Sequence, residues 1–380
     1  MIKLIEYELV ATCLFGLEKL LGAEIDDLGL PRTDTMDGRV TFRGNAVDIA
    51  RANINLRTAE RVYIRLGNFS AKTFEELFEG TRNLPWENFI SVNDSFPVKG
   101  HSIKSALFSI PDCQKIVKKA IVSRLSDKYN VKWFEETGVK YQVEFFIFKD
   151  EASLMIDTSG TALHKRGYRP IAGPAPLRET LAAALAMTSR PKDDVLLWDP
   201  FCGSGTIAIE AAMLMTNRAP GLNRAFISEQ FTCFDDNHMW KEAREEANDS
   251  IELHSIYEAW GSDIDNEVLN LARMNAKRAG VNKNIKFFYA DARSIKKPDR
   301  RGSIVCNPPY GERMLEINDA EKLYRDIGKN FKNFGLWQIY ILTASENFEK
   351  LYARRADKIR KLYNGMIPCN LYQFFKPVDR

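Results

Sequence analysis

The sequence predicts an α/β protein, with a doubly wound, mostly parallel sheet in its carboxyl-terminal half and smaller α+β units before it. Three observations carry that reading. From Leu177 onward apolar strands alternate with helical patterns, as in repeated βαβ units. The first of these strands, "LLWDP", runs into the glycine turn "FCGSG" and then a helix. A later strand, "GSIVC", stops at "NPPYG".

A chain of 380 residues exceeds the usual single domain and calls for two or three compact units. A net charge of +3, with 45% hydrophobic and 28% charged residues, permits nucleic-acid binding without requiring it. The six cysteines (Cys13, Cys113, Cys202, Cys233, Cys306, Cys369) are scattered without a C-x-x-C pair, which argues against a zinc site or disulfide framework and for reduced thiols. No apolar run is long enough to span a bilayer, and the amino terminus lacks a signal-peptide pattern. The expectation is a cytoplasmic protein with neither membrane nor metal partner.

Residues 1–70 read as strand "IEYELVAT", helix "LFGLEKLLGAEIDDLG", strand "GRVTFRG", a helix near Ala46 to Asn55, and strand "RVYIRLGNFS", a layout compatible with a ferredoxin-like sheet. A second unit follows to about residue 163: helix "TFEELFEGTRNL", strand "SFPVKG", helix "CQKIVKKAIVSRLSDKY", then strands "YQVEFFIFKD" and "EASLMIDTS". The helix from Cys113 places Val117, Ile121 and Leu125 on one face and leaves Lys115, Lys118 and Lys119 toward solvent. Lys99, His101 and Lys104 lie just upstream, and Lys165 and Arg166 sit in the basic, Gly- and Pro-containing segment 164–176, which reads as a linker. These cations are candidates for facing nucleic-acid phosphates. A solvated face accounts for the same cluster.

The unit from 177 to 380 reads helix "LRETLAAALAM", strand "VLLWDP", helix "TIAIEAAMLM", strand "EAWGSDID", helix "EVLNLARMNAKRAG", strand "IKFFYADA", strand "GSIVCNPP", a helix around Leu323, Ile327 and Phe331, and strand "LWQIYILTA". Its end, "DKIRKLYNGMIPCNLYQFF", predicts a hairpin turning at Asn364-Gly365, with Pro368 expected to shorten the second arm. The insert from Asn217 to Tyr257 departs from a compact nucleotide fold, and the sequence assigns it no role.

The glycine turn "GSGTIA" lacks the third glycine of a dinucleotide fingerprint, and Asp199 precedes it. An acid there repels a pyrophosphate but attracts an ammonium, which points to a nucleoside with an amino-acid tail, as in S-adenosylmethionine. The methionine end is expected near Asp199, Phe201, Gly203 and Gly205, with Glu179 and Thr180 closing over it. In "GSDID", Asp263 is the candidate for the ribose hydroxyls and Asp265 the cap of the next helix. In "YADA", Asp291, with Ala292 beside it, is the candidate for the adenine.

In "NPPY" the prolines end the strand and hold the chain stiff just beyond it. Asn307 then offers a side-chain acceptor, Pro308 a carbonyl, Pro309 rigidity, and Tyr310 a face for stacking, a corner suited to one planar amino group. Asn307 also borders the cofactor. No metal or covalent nucleophile is needed, so Cys202 and Cys306 read as packing residues.

Taken in order, "DPFCGSG", "GSDID", "ADA" and "NPPYG" resemble the amino-directed S-adenosylmethionine-dependent methyltransferases. The lead-in "PLRETLAAALA" and the tail "LYNGMIPCNLYQF" are similar to the RNA guanine-N2 methyltransferases that carry a ferredoxin-like plus THUMP region, above all the bacterial enzymes of 23S ribosomal RNA without a fused second methyltransferase. The resemblance implies a Rossmann-like, seven-stranded methyltransferase domain over 177–380, a ferredoxin-like region over 1–70 and a THUMP domain over 71–163. It implies S-adenosylmethionine as cofactor, 23S rRNA as partner and guanine N2 as acceptor. The tetrad itself leaves the nitrogen open, since adenine N6, cytosine N4, guanine N2 and glutamine are all served by it. A tRNA guanine or adenine-N6 enzyme, or a non-catalytic RNA-binding assembly factor, stays as an alternative. Only one helix, one strand and the hairpin follow "NPPY", so recognition of structured RNA is expected from residues 1–165.

Overall fold

Two seven-stranded sheets organise the chain, and the computed structural model describes residues 5–170, 177–234, 238–310 and 314–376 of it. The first sheet contains β1 (Tyr7–Cys13), β2 (Arg32–Met36), β3 (Arg39–Gly44), β4 (Ala59–Ser70), β5 (Val98–Ile103), β6 (Val143–Phe148) and β7 (Glu151–Asp157), in the order β2-β3-β1-β4-β7-β6-β5. Alternate strand residues such as Leu9, Val62, Phe145 and Leu154 join one core with Leu21 and Ile25 of α1 (Glu18–Asp27), Ile49 of α2 (Ala46–Asn55), Leu77 of α3 (Phe74–Arg82), and Val117 and Ile121 of α4 (Ile110–Tyr129). Each fully buried aliphatic side chain of this kind contributes roughly 1.5–3 kcal/mol.

The two amino-terminal regions share this one sheet. β4 pairs antiparallel with β7, from Tyr63 opposite Asp157 to Ser70 opposite Glu151. Helices α2 and α3 begin where capping boxes dictate: Asn45 with Asp48, and Thr73 with Glu76. β2 has no counterpart in the sequence reading, because its five residues are all exposed and show no apolar alternation.

The second sheet is built from α5 (Glu179–Ser189), β8 (Leu196–Asp199), α6 (Thr206–Met215), α7 (Met239–Asp249), β9 (Ala259–Asp263), α8 (Asn266–Ala279), β10 (Ile285–Tyr289), β11 (Gly302–Cys306), α9 (Met314–Phe331), β12 (Gln338–Thr343), α10 (Phe348–Tyr352), β13 (Lys358–Asn364) and β14 (Ile367–Phe374). Its order is β10-β9-β8-β11-β12-β14-β13, with only β14 antiparallel to its neighbours. Leu197 and Val305 face one core while Leu196 and Ile304 face the other, so both sides of the sheet are covered. That is why these strands read as unbroken apolar runs. The order reverses between β8 and β11, and the crevice beyond their carboxyl ends is where such sheets bind ligands.

The hairpin differs from expectation in two respects. Asn364 pairs with Ile367, so the two-residue turn is Gly365-Met366, with φ of +66° at Gly365. Pro368 does not shorten β14: it lies opposite Tyr363 and before Asn370, where the ladder to β12 begins, so its missing N–H falls outside that ladder.

The insert between α6 and β9 fastens the two sheets together. Its helix α7 sends Glu246 to Arg51 of α2 at 3.0 Å, Gly221 N donates to Ile54 O at 2.8 Å, and Phe231 stacks on Tyr141 with ring centroids 4.2 Å apart. Within residues 164–170, Arg166 and Tyr168 are buried; the rest of the expected linker, 171–176, lies outside the described residues.

Candidate active site

β8 delivers Asp199 to the crevice, where it is 2% exposed and its Oδ1 accepts from Phe201 N at 3.0 Å. Burial, reinforced by the nearby Asp263, pushes its carboxyl up to about 8. Gly203 follows with φ of +49°, and a Cβ built there meets nothing within 4 Å, so the turn leaves open space on that side. Gly205, at φ +84°, is needed for closeness, because a Cβ would sit 2.9 Å from the Phe287 ring. Asp263 ends β9, and its Oδ2 accepts from Gly203 N at 2.9 Å, locking two of the motifs together. Asp265 caps α8 through Glu267 N at 2.8 Å, as expected.

The third acid is engaged within its own turn. Asp291 is clamped by the Arg293 guanidinium at 2.5 and 2.9 Å, which holds its carboxyl below the usual range, and Ala292 beside it is buried. From α5, Glu179 pairs with Arg169 at 3.0 Å, while its Oε2 is buried with no hydrogen-bond partner among the described residues. Burial raises the Glu179 carboxyl. Thr180 departs from expectation: its hydroxyl is turned to Glu60 of β4, donating to Oε1 at 2.6 Å, because that partly buried carboxylate is the acceptor within reach.

At the end of β11, Asn307 Oδ1 is buried with no partner among the described residues. Such an orphan acceptor costs about 1–3 kcal/mol unless a donor arrives. Pro308 is buried and Pro309 exposed. The Pro309 carbonyl accepts from the Tyr324 hydroxyl at 3.0 Å, and that hydroxyl is 2.9 Å from Thr343 Oγ1, so the corner is braced from α9 and β12. Tyr310 Oη accepts from Asn364 Nδ2 at 3.2 Å. Cys202 and Cys306 are buried, and burial pushes both thiols well up, in keeping with packing.

Glu60, Tyr324 and Asn364 were not singled out from the sequence for the site. Only Asn364 carried a local signal, the Asn-Gly turn. Glu60 and Tyr324 act across the fold, and no spacing reveals that.

The basic residues divide. Lys99, Lys104, Lys115, Lys119 and Lys165 are exposed. Lys118 is half-buried, with Nζ 3.5 Å from the Phe96 centroid and 2.5 Å from Glu136, because it borders the stripe formed by Val117 and Ile121. Arg166 is a correction: it is buried, donates to Leu163 O and Arg57 O, and lies 3.6 Å from Glu210, so it is an internal tie and offers nothing to RNA.

A sheet reversing beside an acid-and-glycine turn, with an unfilled acceptor at the next strand end, defines the class of S-adenosylmethionine-dependent methyltransferases. Glu179 Oε2, without a partner among the described residues, the raised Asp199 carboxyl and the open side of Gly203 fit that cofactor. Residues 166–373 match the RMKL-like methyltransferase domain, residues 8–63 the RlmL ferredoxin-like domain, and residues 71–157 the THUMP domain. The chain is 45% identical over 376 residues to "Putative RNA methyltransferase YpsC" of Bacillus subtilis, covering 98% of this chain and 97% of that one. It is 32% identical over 367 residues to the ribosomal RNA large subunit methyltransferase K/L of Psychromonas ingrahamii, covering 94% of this chain but 49% of that protein, so it spans about half of that relative.

Among solved structures, a possible methylase from Clostridium difficile 630 superposes with a TM-score of 0.95 at 44% identity, covering 99% of this chain and 100% of that one. A structure described as a predicted N6-adenine-specific DNA methylase from Listeria monocytogenes gives 0.92 at 44%, covering 98% and 97%. The structure described as "SMU.472, a putative methyltransferase complexed with SAH" gives 0.91 at 39%, covering 100% of both. The chain belongs to the RMKL-like methyltransferase family and is an S-adenosylmethionine-dependent enzyme. Among the described residues no helix is long and apolar enough to cross a membrane.

Proposed function

We propose that the protein methylates the exocyclic N2 of a guanine in RNA, with 23S ribosomal RNA as substrate. The observation that carries the reading is the buried Asn307 Oδ1 at the end of β11, without a partner among the described residues. With the Pro308 carbonyl beside it, Asn307 forms an acceptor pair for the two protons of one amino group. The Pro309 carbonyl is already held by Tyr324, which fixes the corner before substrate arrives. A guanine flipped from its stack and laid on Tyr310 presents N2 to that pair. Accepting a hydrogen bond from each N–H draws the nitrogen lone pair out of ring conjugation and aims it at the methyl group, and the nitrogen gives up one proton to water as it is methylated. When bound, the cofactor supplies that electrophilic methyl. Asp199, Phe201, Gly203 and Gly205 would hold its methionine end, Asp263 its ribose, and Asp291 with Ala292 its adenine. Orientation of this kind lowers a barrier by roughly 7–11 kcal/mol at best.

RNA as substrate is supported by the names of the two relatives and by the THUMP match. Adenine N6 is the second reading, favoured by the description of the Listeria structure, and the same acceptor pair serves it. Nucleoside mass spectrometry of rRNA and tRNA from a deletion strain tests the proposal. Loss of N2-methylguanosine from 23S rRNA is the expected result; loss of N6-methyladenosine instead, or no change, overturns it. Asn307→Ala is expected to abolish transfer while cofactor binding stays measurable by calorimetry.

A further inference from the structure

We infer that Phe15 and Tyr363 form a stacking ledge for an unpaired RNA nucleotide next to the target base, an inference that rests on the reading of the site as an RNA methyltransferase centre. The topology places the ledge beside the catalytic corner. β14 is antiparallel to both β12 and β13, and β12 is parallel to β11, so β13 ends on the same edge of the sheet as "NPPY". Asn364, its last residue, reaches the Tyr310 hydroxyl at 3.2 Å. The neighbouring Tyr363 meets Phe15 edge-on, with centroids 6.1 Å apart and planes at 70°.

Packing between the sheets accounts for only part of these rings: Tyr363 is half-buried, and the Phe15 ring rests against Gly38, where a Cβ would lie 3.2 Å away. The first sheet already touches the hairpin through Gly16, whose carbonyl accepts from Arg360 and where a Cβ would lie 2.9 Å from Lys361 O. Phe15 nevertheless stays 53% exposed and Met366 at the hairpin tip 95% exposed. Apolar surface left open beside a proposed base-binding corner matches the face of a nucleobase, which any base can supply.

Charge favours the same occupant. Lys361 is exposed on β13 on the same face as Tyr363, and its Nζ lies 5.7 Å from the Tyr363 centroid, within reach of a phosphate joined to a base stacked there. The nearby Glu18 carboxylate is engaged, its Oε1 accepting from Gly16 N at 3.0 Å and Gly38 N at 2.9 Å, and the adjacent Arg360 guanidinium offsets its charge. A nucleotide held by Tyr363 fixes the backbone on one side of the flipped base, which sets its register at Tyr310.

The test is fluorescence anisotropy of a 5′-fluorescein, mixed-sequence, single-stranded RNA decamer on the full chain. A duplex of equal length and cofactor calorimetry serve as controls. Phe15→Ala and Tyr363→Ala are each expected to weaken decamer binding about 5- to 50-fold, and Tyr363→Phe to keep it within about twofold. Cofactor affinity and duplex binding are expected to be unchanged. Equal decamer binding by wild type and the alanine variants, or no binding by wild type, overturns the ledge. Should decamer binding depend on the rings while no RNA is methylated, the ledge stands and the methyltransfer reading falls.

Discussion

The Thr180 hydroxyl donates to Glu60 Oε1 at 2.6 Å, so the first turn of α5, at the edge of the methyltransferase site, is held by β4 of the other sheet. Glu60 also takes Arg178 and His164, both at 3.1 Å. Burial alone would raise its carboxyl, but His164, Thr180 and Arg178 together hold it below the ordinary value. Glu60→Ala leaves the buried Thr180 hydroxyl and the partly exposed His164 and Arg178 without their acceptor and is expected to destabilise the fold by about 1–3 kcal/mol. The loosened α5 is expected to weaken cofactor binding about tenfold. Glu60→Gln keeps an acceptor for Thr180 and is expected to retain most of that affinity. Calorimetry on both variants decides, and equal cofactor affinity in wild type and Glu60→Ala would sink the idea.

Cofactor binding should depend on pH through Asp199. Its carboxyl is raised from 3.8 to about 8 by burial and by Asp263. A raised acid costs stability in the free protein as its charge is forced on it. That cost is absent below pH 3.8, grows through the interval, and is complete above about 8. An ammonium beside Asp199 favours the ionised form, so binding near pH 6 releases a proton. Below about pH 7, where an α-ammonium stays charged, cofactor affinity is expected to rise with pH, by up to roughly tenfold per unit. Titrations in two buffers of different ionisation enthalpy measure the proton released. Asp199→Asn is expected to bind roughly 10- to 100-fold more weakly and to lose the slope. A flat profile in wild type would exclude Asp199 as the partner of the ammonium.

Arg166 and the exposed lysines are expected to respond in opposite ways. Arg166→Ala leaves Glu210 buried beside a lost cation, a change of about 3–5 kcal/mol in stability, with RNA affinity of the folded fraction preserved. Reversing Lys99, Lys115 and Lys119 to Glu should barely alter the melting temperature. Each lysine that faces a phosphate contributes roughly 0.7–0.9 to the slope of log affinity against log salt. Filter binding across a salt series separates the two cases, and an unchanged slope in the triple variant places RNA elsewhere.

Motifs that act within one strand end were legible because their chemistry is local. Asp199, Gly203, Gly205, Asp263 and Asn307 all converge on one sheet edge, and Asp265 caps a helix as its position suggested. Arg166 misled because Gly, Pro and basic residues read as a loose linker, whereas the structure buries it between Leu163, Arg57 and Glu210. Thr180 misled for a related reason. Its position was foreseen, but its side chain answers to Glu60, more than a hundred residues away in the chain. The fusion of two amino-terminal regions into one sheet was equally hidden, since strand alternation shows which residues are buried and not which strands pair.

Tyr324 offers the most direct probe of the proposed amino clamp without touching its acceptors. Its buried hydroxyl donates to the Pro309 carbonyl and meets Thr343 Oγ1, and burial pushes the phenol up to about 12, so it stays neutral at ordinary pH. Tyr324→Phe keeps the ring against Phe348 and removes only the brace. Loss of one such bond is expected to lower stability by about 1 kcal/mol. If the brace sets the angle between Asn307 and the Pro308 carbonyl, kcat should fall about 5- to 20-fold, with the cofactor Kd and the RNA KM within twofold of wild type. Thr343→Val removes the other partner while leaving the hydroxyl on Pro309, and is expected to keep kcat near wild type. A parallel fall in kcat for both variants assigns Tyr324 to packing alone, whereas a fall confined to Tyr324→Phe ties the rate to the geometry of the Pro-Pro corner.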